Sequence, residues 1–188
     1  MSLVQSKGSP VLFRMTSDRF CELPPSESFK LELLEGEVIM AARPVPTHQH
    51  FIFQLGVTID QWVKPRDLGR VLLDTLMKLN GHWTPAPDLS FLWKRHLKRV
   101  QKKRIVGPVD LAAEVLSASK RIDRQTKFIA YARFGIPWYW IIDLRKRELE
   151  EYELIGHAYG NRVKVAFDQP FAPRIFPGLM IHLAALEW

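Results

Sequence analysis

Two short segments place acidic side chains where they could share a cation. The first reads Pro87-Asp88-Leu89-Ser90-Phe91-Leu92, and the second Val109-Asp110-Leu111-Ala112-Ala113-Glu114-Val115-Leu116. Read as strands, alternate residues point to opposite faces, so Leu111, Ala113 and Val115 can go to a core while Asp110, Ala112 and Glu114 share the other side. The small Ala112 leaves space beside Glu114. If the two strands are neighbours, Asp88 and Glu114 converge. A carboxylate removed from water is costly unless it is paired or bound to a cation, and two brought together cost more. A divalent ion relieves both penalties. Mg²⁺ or Mn²⁺ takes oxygen ligands, and Mg²⁺ is typically held by one or two carboxylates plus substrate phosphate; such an ion polarises a phosphoryl group and activates water. The same spacing also allows a plainer arrangement, with Asp88 at a strand start and Glu114 paired with an arginine.

Asp123 and Lys127 lie four residues apart in a helical stretch and share a face, which Tyr131 continues. Exposed, such a pair is worth only a few tenths of a kcal/mol. Beside a metal, the Lys127 ammonium could orient water or stabilise charge developing on phosphorus. The chain carries a formal net charge of +7. Seven of its cations crowd one stretch: Lys94, Arg95, Lys98 and Arg99, then Lys102, Lys103 and Arg104. That stretch reads either as a solvated loop or as a contact to a polyanion such as DNA, blind to base sequence and sensitive to salt. His48-Gln-His50 could suggest zinc, but it falls at a helix start, where residues two apart do not face one another. His50 is kept as a candidate for lining the cleft. Ser117 follows Glu114 closely, yet nothing marks a histidine partner, and no nucleophile elbow, phosphate loop or dinucleotide fingerprint is present. Trp138, Tyr139 and Trp140 could stack on bases, although their apolar flanks favour a strand core.

The elements that must position these groups follow from periodicity. Residues 1–15 read as an irregular arm, and a short helix runs over 16–22. Alternation over 29–42 around Glu35-Gly36 predicts a hairpin. Phe51, Leu55, Ile59 and Trp62 predict a helix over 47–63. Strands are expected over 69–78, 88–93 and 109–116, then a helix over 121–134 closed by Gly135 and Pro137. The apolar run 138–144 suggests a strand buried on both faces, and 148–154, 162–167 and 175–183 an antiparallel set. Together these imply an α/β fold, a mixed β-sheet flanked by α-helices, in a single domain of 188 residues. One cysteine, Cys21, leaves no intrachain disulfide and favours a reducing, cytoplasmic setting. No secretory signal or membrane-length apolar run is present.

The stretch Pro108-Val-Asp-Leu-Ala-Ala-Glu114-Val-Leu-Ser117, then Asp123, Lys127 and Tyr131, then Gly135-Ile-Pro-Trp-Tyr-Trp140-Ile-Ile-Asp143 resembles the Uma-two family of restriction-endonuclease-like proteins. Glu32-Leu-Leu-Glu-Gly36-Glu37-Val-Ile-Met40, His50 and Pro87-Asp88 extend the resemblance over roughly residues 16–155. That family is similar to the PD-(D/E)XK nuclease superfamily, so the resemblance implies a restriction-endonuclease-like core and an Mg²⁺- or Mn²⁺-dependent endonuclease acting on DNA. Asp88 and Glu114 would be the metal ligands and Glu37 an accessory acid. The superfamily's lysine two positions after its second acid is replaced here by Leu116, and Lys127 is the expected substitute. A homodimer is expected by analogy, since cutting both strands needs two sites. Two other readings stand beside this one: a non-catalytic nucleic-acid-binding module with an unused site, and a hydrolase of other substrates on the same scaffold.

Overall fold

The computed structural model describes residues 5–6, 9–116 and 121–187. The N-terminal arm, expected to be irregular, contains paired strands β1 (Gln5–Ser6) and β2 (Ser9–Arg14). After the short helix α1 (Ser17–Cys21), the hairpin β3 (Phe29–Leu34) and β4 (Glu37–Ala42) forms as its alternation predicts. Its turn places Glu35 and Gly36 at positive φ, 55° and 78°. β2 then pairs with β4, which makes a four-stranded antiparallel sheet.

Helix α2 (Pro46–Val63) begins at a proline, whose fixed φ suits a first helical position. Beyond it the expected strand over 69–78 divides into β5 (Gly69–Leu73) and β6 (Met77–Lys78). The break lies at Asp74, which has φ +44°. β7 (Leu89–Trp93) follows. The basic stretch starts as a 3₁₀ turn, Lys94–Arg99, rather than a loop, and ends at β8 (Ile105–Val106), which pairs with β6. β9 (Leu111–Val115) precedes a π-helical turn, Ile122–Lys127, that continues as α3 (Phe128–Arg133). β10 (Trp138–Asp143) and the long hairpin β11 (Glu148–Ile155) and β12 (Ala158–Ala166) come next. The segment expected as a strand over 175–183 is mostly irregular. Only β14 (Ile181–His182) pairs there, with β13 (Pro170–Phe171).

The central sheet has the order β12-β11-β10-β9-β7-β5. Only β9 and β10 are parallel, and a parallel pair requires a crossover. The chain therefore leaves the sheet after Val115, crosses it with the helical segment 122–133, and returns at Trp138. One face packs α2 and the C-terminal segment: Phe51, Leu55 and Ile59 meet Phe91, Trp140 and Phe176. Tyr131 of α3 packs on the other face, against Ala112, Tyr139 and Ile141. The side of β9 carrying Ala112 and Glu114 is consequently buried as well. Tyr139 and Trp140 are fully buried in these cores, so the aromatic run is packing.

At Gly69, the first residue of β5, the backbone leaves no room for a side chain. A Cβ there would lie 2.1 Å from the Leu92 carbonyl oxygen. Gly69→Ala should lower the unfolding free energy by about 3 kcal/mol, the upper range for an overpacked site. Urea denaturation checks this, and an unchanged midpoint would show that β5 and β7 can part at no cost.

Candidate active site

Leu89 of β7 lies opposite Ala113 of β9. One step further along this antiparallel ladder, Asp88 and Glu114 fall opposite each other on one face. Both are buried, at 7% and 2% exposure. The N–H of Val115 donates to Asp88 Oδ2 at 2.9 Å, fixing that carboxylate to the neighbouring strand. His48 at the start of α2 approaches the same oxygen with Nε2 at 3.1 Å, and Lys30 Nζ reaches Asp88 Oδ1 at 2.8 Å.

Glu114 Oε1 accepts from Lys127 Nζ and from the Tyr131 hydroxyl, each at 2.9 Å. The Lys127 ammonium also lies 2.9 Å from Glu32 Oε1 and 3.3 Å from Asp123 Oδ1. Glu32 comes from the four-stranded sheet. Lys30, Glu32 and Leu34 share one face of β3. A two-way backbone bridge between Leu33 and Thr84, with the Ala86 N–H donating to Glu32 Oε1 at 2.7 Å, fastens that face to the chain entering β7. The result is a cleft of about 410 Å³ with Asp88, Glu114, Asp123 and Lys127 in its lining. Its walls include Ile39, Val45, Ile122 and Leu144.

Asp88, Glu114, Glu32 and Asp123 lie within contact of the Lys30 and Lys127 ammonium groups, and Arg43 and Arg145 also line the cleft. The donor set consists of hard oxygens, the kind that suit Mg²⁺ or Mn²⁺. Among the described residues no three acidic, histidine or cysteine side chains are spaced to hold an ion by themselves. Two carboxylates completed by water and substrate phosphate are sufficient for magnesium, and Asp88 with Glu114 fits that pattern.

Glu37 and the basic segment fall elsewhere. Glu37 does not reach the cleft; it opens β4 and pairs with Arg14 at 2.6 Å, while Glu32, on the adjacent strand, points in instead. His50 lies on α2 two residues after His48, which is the histidine that contacts Asp88. Ser117 lies outside the described residues. The basic segment flanks the far end of β7, about 16 Å from Asp88 at the 3.3 Å rise of a strand. Within it, Lys94 pairs with Asp67, and Arg99 donates to the Pro108 carbonyl at 2.5 Å. Asp110 also belongs to that end, accepting from the Trp93 N–H at 2.9 Å and lying 2.8 Å from His96 Nδ1. Lys30, Glu32 and His48 were missed as site residues. The available signal was the polar parity of β3, which carries Lys30 and Glu32 on the side opposite Leu31 and Leu33.

The Uma2 family, described as "Putative restriction endonuclease", matches residues 17–184. The chain belongs to this family. No curated protein matches it. A crystal structure described as "a putative nuclease belonging to DUF820" from Anabaena variabilis ATCC 29413 superposes with a TM-score of 0.75 at 21% sequence identity, covering 92% of this chain and 97% of that one. At that identity the likeness establishes the fold. This Uma2 chain thus has the α/β, restriction-endonuclease-like architecture, with its mixed sheet and flanking helices. Among the described residues no helix is long and apolar enough to cross a membrane.

The two facing acids of this Uma2 chain differ in their proton affinity. At Asp88 burial opposes ionisation, but Lys30 and the His48 contact outweigh it and hold the carboxyl well below its usual range. At Glu114 burial dominates; Lys127 opposes it, while Asp88, Asp123 and Glu32 add to it, pushing the pKa up to about 8. Asp123 is raised to about 6, again chiefly by burial. Lys127 is held well above its ordinary value, because its acidic neighbours outweigh the burial that would discharge it.

These shifts set a pH dependence in the absence of divalent ions. A carboxyl whose folded pKa is raised binds its proton more tightly in the native state, so its stabilising contribution is complete below the unfolded value of 4.5 and is lost as pH climbs to about 8. Asp88, with its depressed value, acts oppositely, and its contribution disappears in acid. In EDTA, thermal stability should therefore peak on the acid side of neutrality and decline between about pH 5 and 8. Glu114→Gln, which keeps an acceptor for Lys127 and Tyr131, should flatten that decline. A melting temperature in wild type that stays level from pH 5 to 8 would contradict the assignment.

Proposed function

We propose that the chain is an endonuclease that hydrolyses phosphodiester bonds of DNA with the help of Mg²⁺ or Mn²⁺. The observation that carries this reading is the pairing of Asp88 with Glu114 on the floor of one cleft, with the Lys127 ammonium 2.9 Å from Glu114. Asp88 and Glu114 would hold the ion. A divalent ion bound there supplies Lewis-acid polarisation of the phosphoryl oxygens and a water of lowered pKa. The protein's own groups have distinct tasks. The Lys127 ammonium, held by three carboxylates and permanently charged, can stabilise negative charge developing on the phosphoryl group. Tyr131 keeps Glu114 Oε1 in place through its hydroxyl. With a substrate filling the cleft, the apolar walls would leave less water around these groups and so strengthen the interactions.

The basic segment 94–104 would contact a duplex about five base pairs from the scissile phosphate, given its strand-length offset and the 3.4 Å spacing of DNA. Its role would be grip rather than chemistry, with affinity that falls steeply with salt. A homodimer would supply the second site needed to cut both strands.

One observation favours a second reading, a DNA-binding module with an unused site. Lys30 and Lys127 already provide both acids with ammonium partners. A plasmid-nicking assay separates the two. Wild type should nick supercoiled DNA with Mg²⁺ or Mn²⁺ and not with EDTA. Asp88→Ala and Glu114→Ala should each abolish nicking while leaving salt-sensitive DNA binding largely intact. Retained cleavage in both variants sinks the assignment. Binding by wild type without cleavage under any divalent ion supports the second reading.

A further inference from the structure

Lys30 occupies the position on Asp88 that a cation would need. Asp88 Oδ2 is engaged by the Val115 N–H and faces His48, which leaves Oδ1 as the oxygen turned toward Lys30 Nζ at 2.8 Å. The same ammonium lies 3.2 Å from Asp74 Oδ1. The two carboxylates are differently placed: the Asp88 side chain is 8% exposed, that of Asp74 56%. Asp74 sits where β5 breaks, at φ +44°, with its N–H donating to the Asp88 carbonyl at 3.2 Å, so its place beside the cleft is set by backbone. Lys30 itself projects from β3 with a side chain only 11% exposed. It thus spans from the cleft floor to the rim.

An ammonium and a divalent ion cannot both rest against Asp88 Oδ1, since both are cations competing for one oxygen. A lysine stem has four flexible carbons, so a small rotation exchanges one carboxylate for the other. We propose that Lys30 is a built-in placeholder cation, which neutralises Asp88 in the metal-free protein and moves its ammonium onto Asp74 when a divalent ion binds. Asp74 is then a positioning residue, acting on the site only through Lys30. This inference rests on the metal reading above, and it makes metal affinity a competition internal to the chain.

The test is Mn²⁺ binding, followed by the electron paramagnetic resonance signal of free Mn²⁺, on wild type, Lys30→Met, Asp74→Asn, the double variant and Asp88→Asn. Lys30→Met should bind about tenfold more tightly, the order of a typical coupling between sites. Asp74→Asn should bind more weakly, and its effect should vanish in the double variant, because without Lys30 there is no ammonium to receive. Lys30→Met that folds but binds no tighter overturns the proposal, as does an Asp74→Asn effect of equal size with and without Lys30. If Lys30→Met fails to fold, Asp74→Asn decides alone, and unchanged affinity there overturns the proposal. Wild type that binds Mn²⁺ no better than Asp88→Asn removes the metal reading itself and this inference with it.

Discussion

The Lys127 ammonium is the interaction on which the rest of the site depends. It is nearly inaccessible to water and lies among Glu114, Glu32 and Asp123 at 2.9, 2.9 and 3.3 Å. A charge so deeply buried is tolerated only with close opposite charge and hydrogen bonds, and removing one partner of such an arrangement typically costs 3–5 kcal/mol. The three acids come from three parts of the chain: a strand of the central sheet, a strand of the N-terminal sheet, and the π-helical turn that carries the lysine. Satisfying Lys127 therefore joins both sheets to the crossover helix. The π-helical turn places Asp123 and Lys127 together on the buried side, consistent with the frequent use of such turns at functional sites.

Around this cation the fold gives two facing carboxyls unlike surroundings. Asp88 has Lys30, a backbone N–H and His48, and stays ionised. Glu114 is deeper and shares its ammonium with two other acids, so it retains a proton into the neutral range. Pairs of acids pushed apart in this way can take separate roles at one pH. Crowded carboxyls of this kind can be relieved by protons, as the raised values at Glu114 and Asp123 express, and a divalent ion held there would compete with those protons.

The strands also separate the molecule's charges. The acids collect where β7 begins and β9 ends, while the cations of the 3₁₀ turn collect where β7 ends. Because β7 and β9 run antiparallel, Asp110, just before β9, lies at the basic end, and Glu114, near the close of β9, at the acidic end. A five-residue strand thus keeps the basic surface apart from the acidic cluster.

Much of the fold was legible in the sequence. The β3–β4 hairpin, α2, the buried strand β10 and the helical crossover follow from local periodicity and turn residues, which depend only on near neighbours in the chain. Asp88 and Glu114 stood out because acids in apolar strands demand a partner, and Lys127 because it shares a helical face with Asp123. Long-range pairing decided the remainder. Parity marks Glu32 as polar on β3 but does not separate it from Glu37 across the turn; the bridge between Leu33 and Thr84 carries Glu32 into the cleft, while Glu37, at the turn end of β4, pairs with Arg14. Likewise His48 rather than His50 meets Asp88 because of how α2 docks on the sheet. Periodicity shows which side of a strand a residue takes, but the partner on that side is set by contacts between segments far apart in sequence, and here those contacts select Lys30, Glu32 and His48.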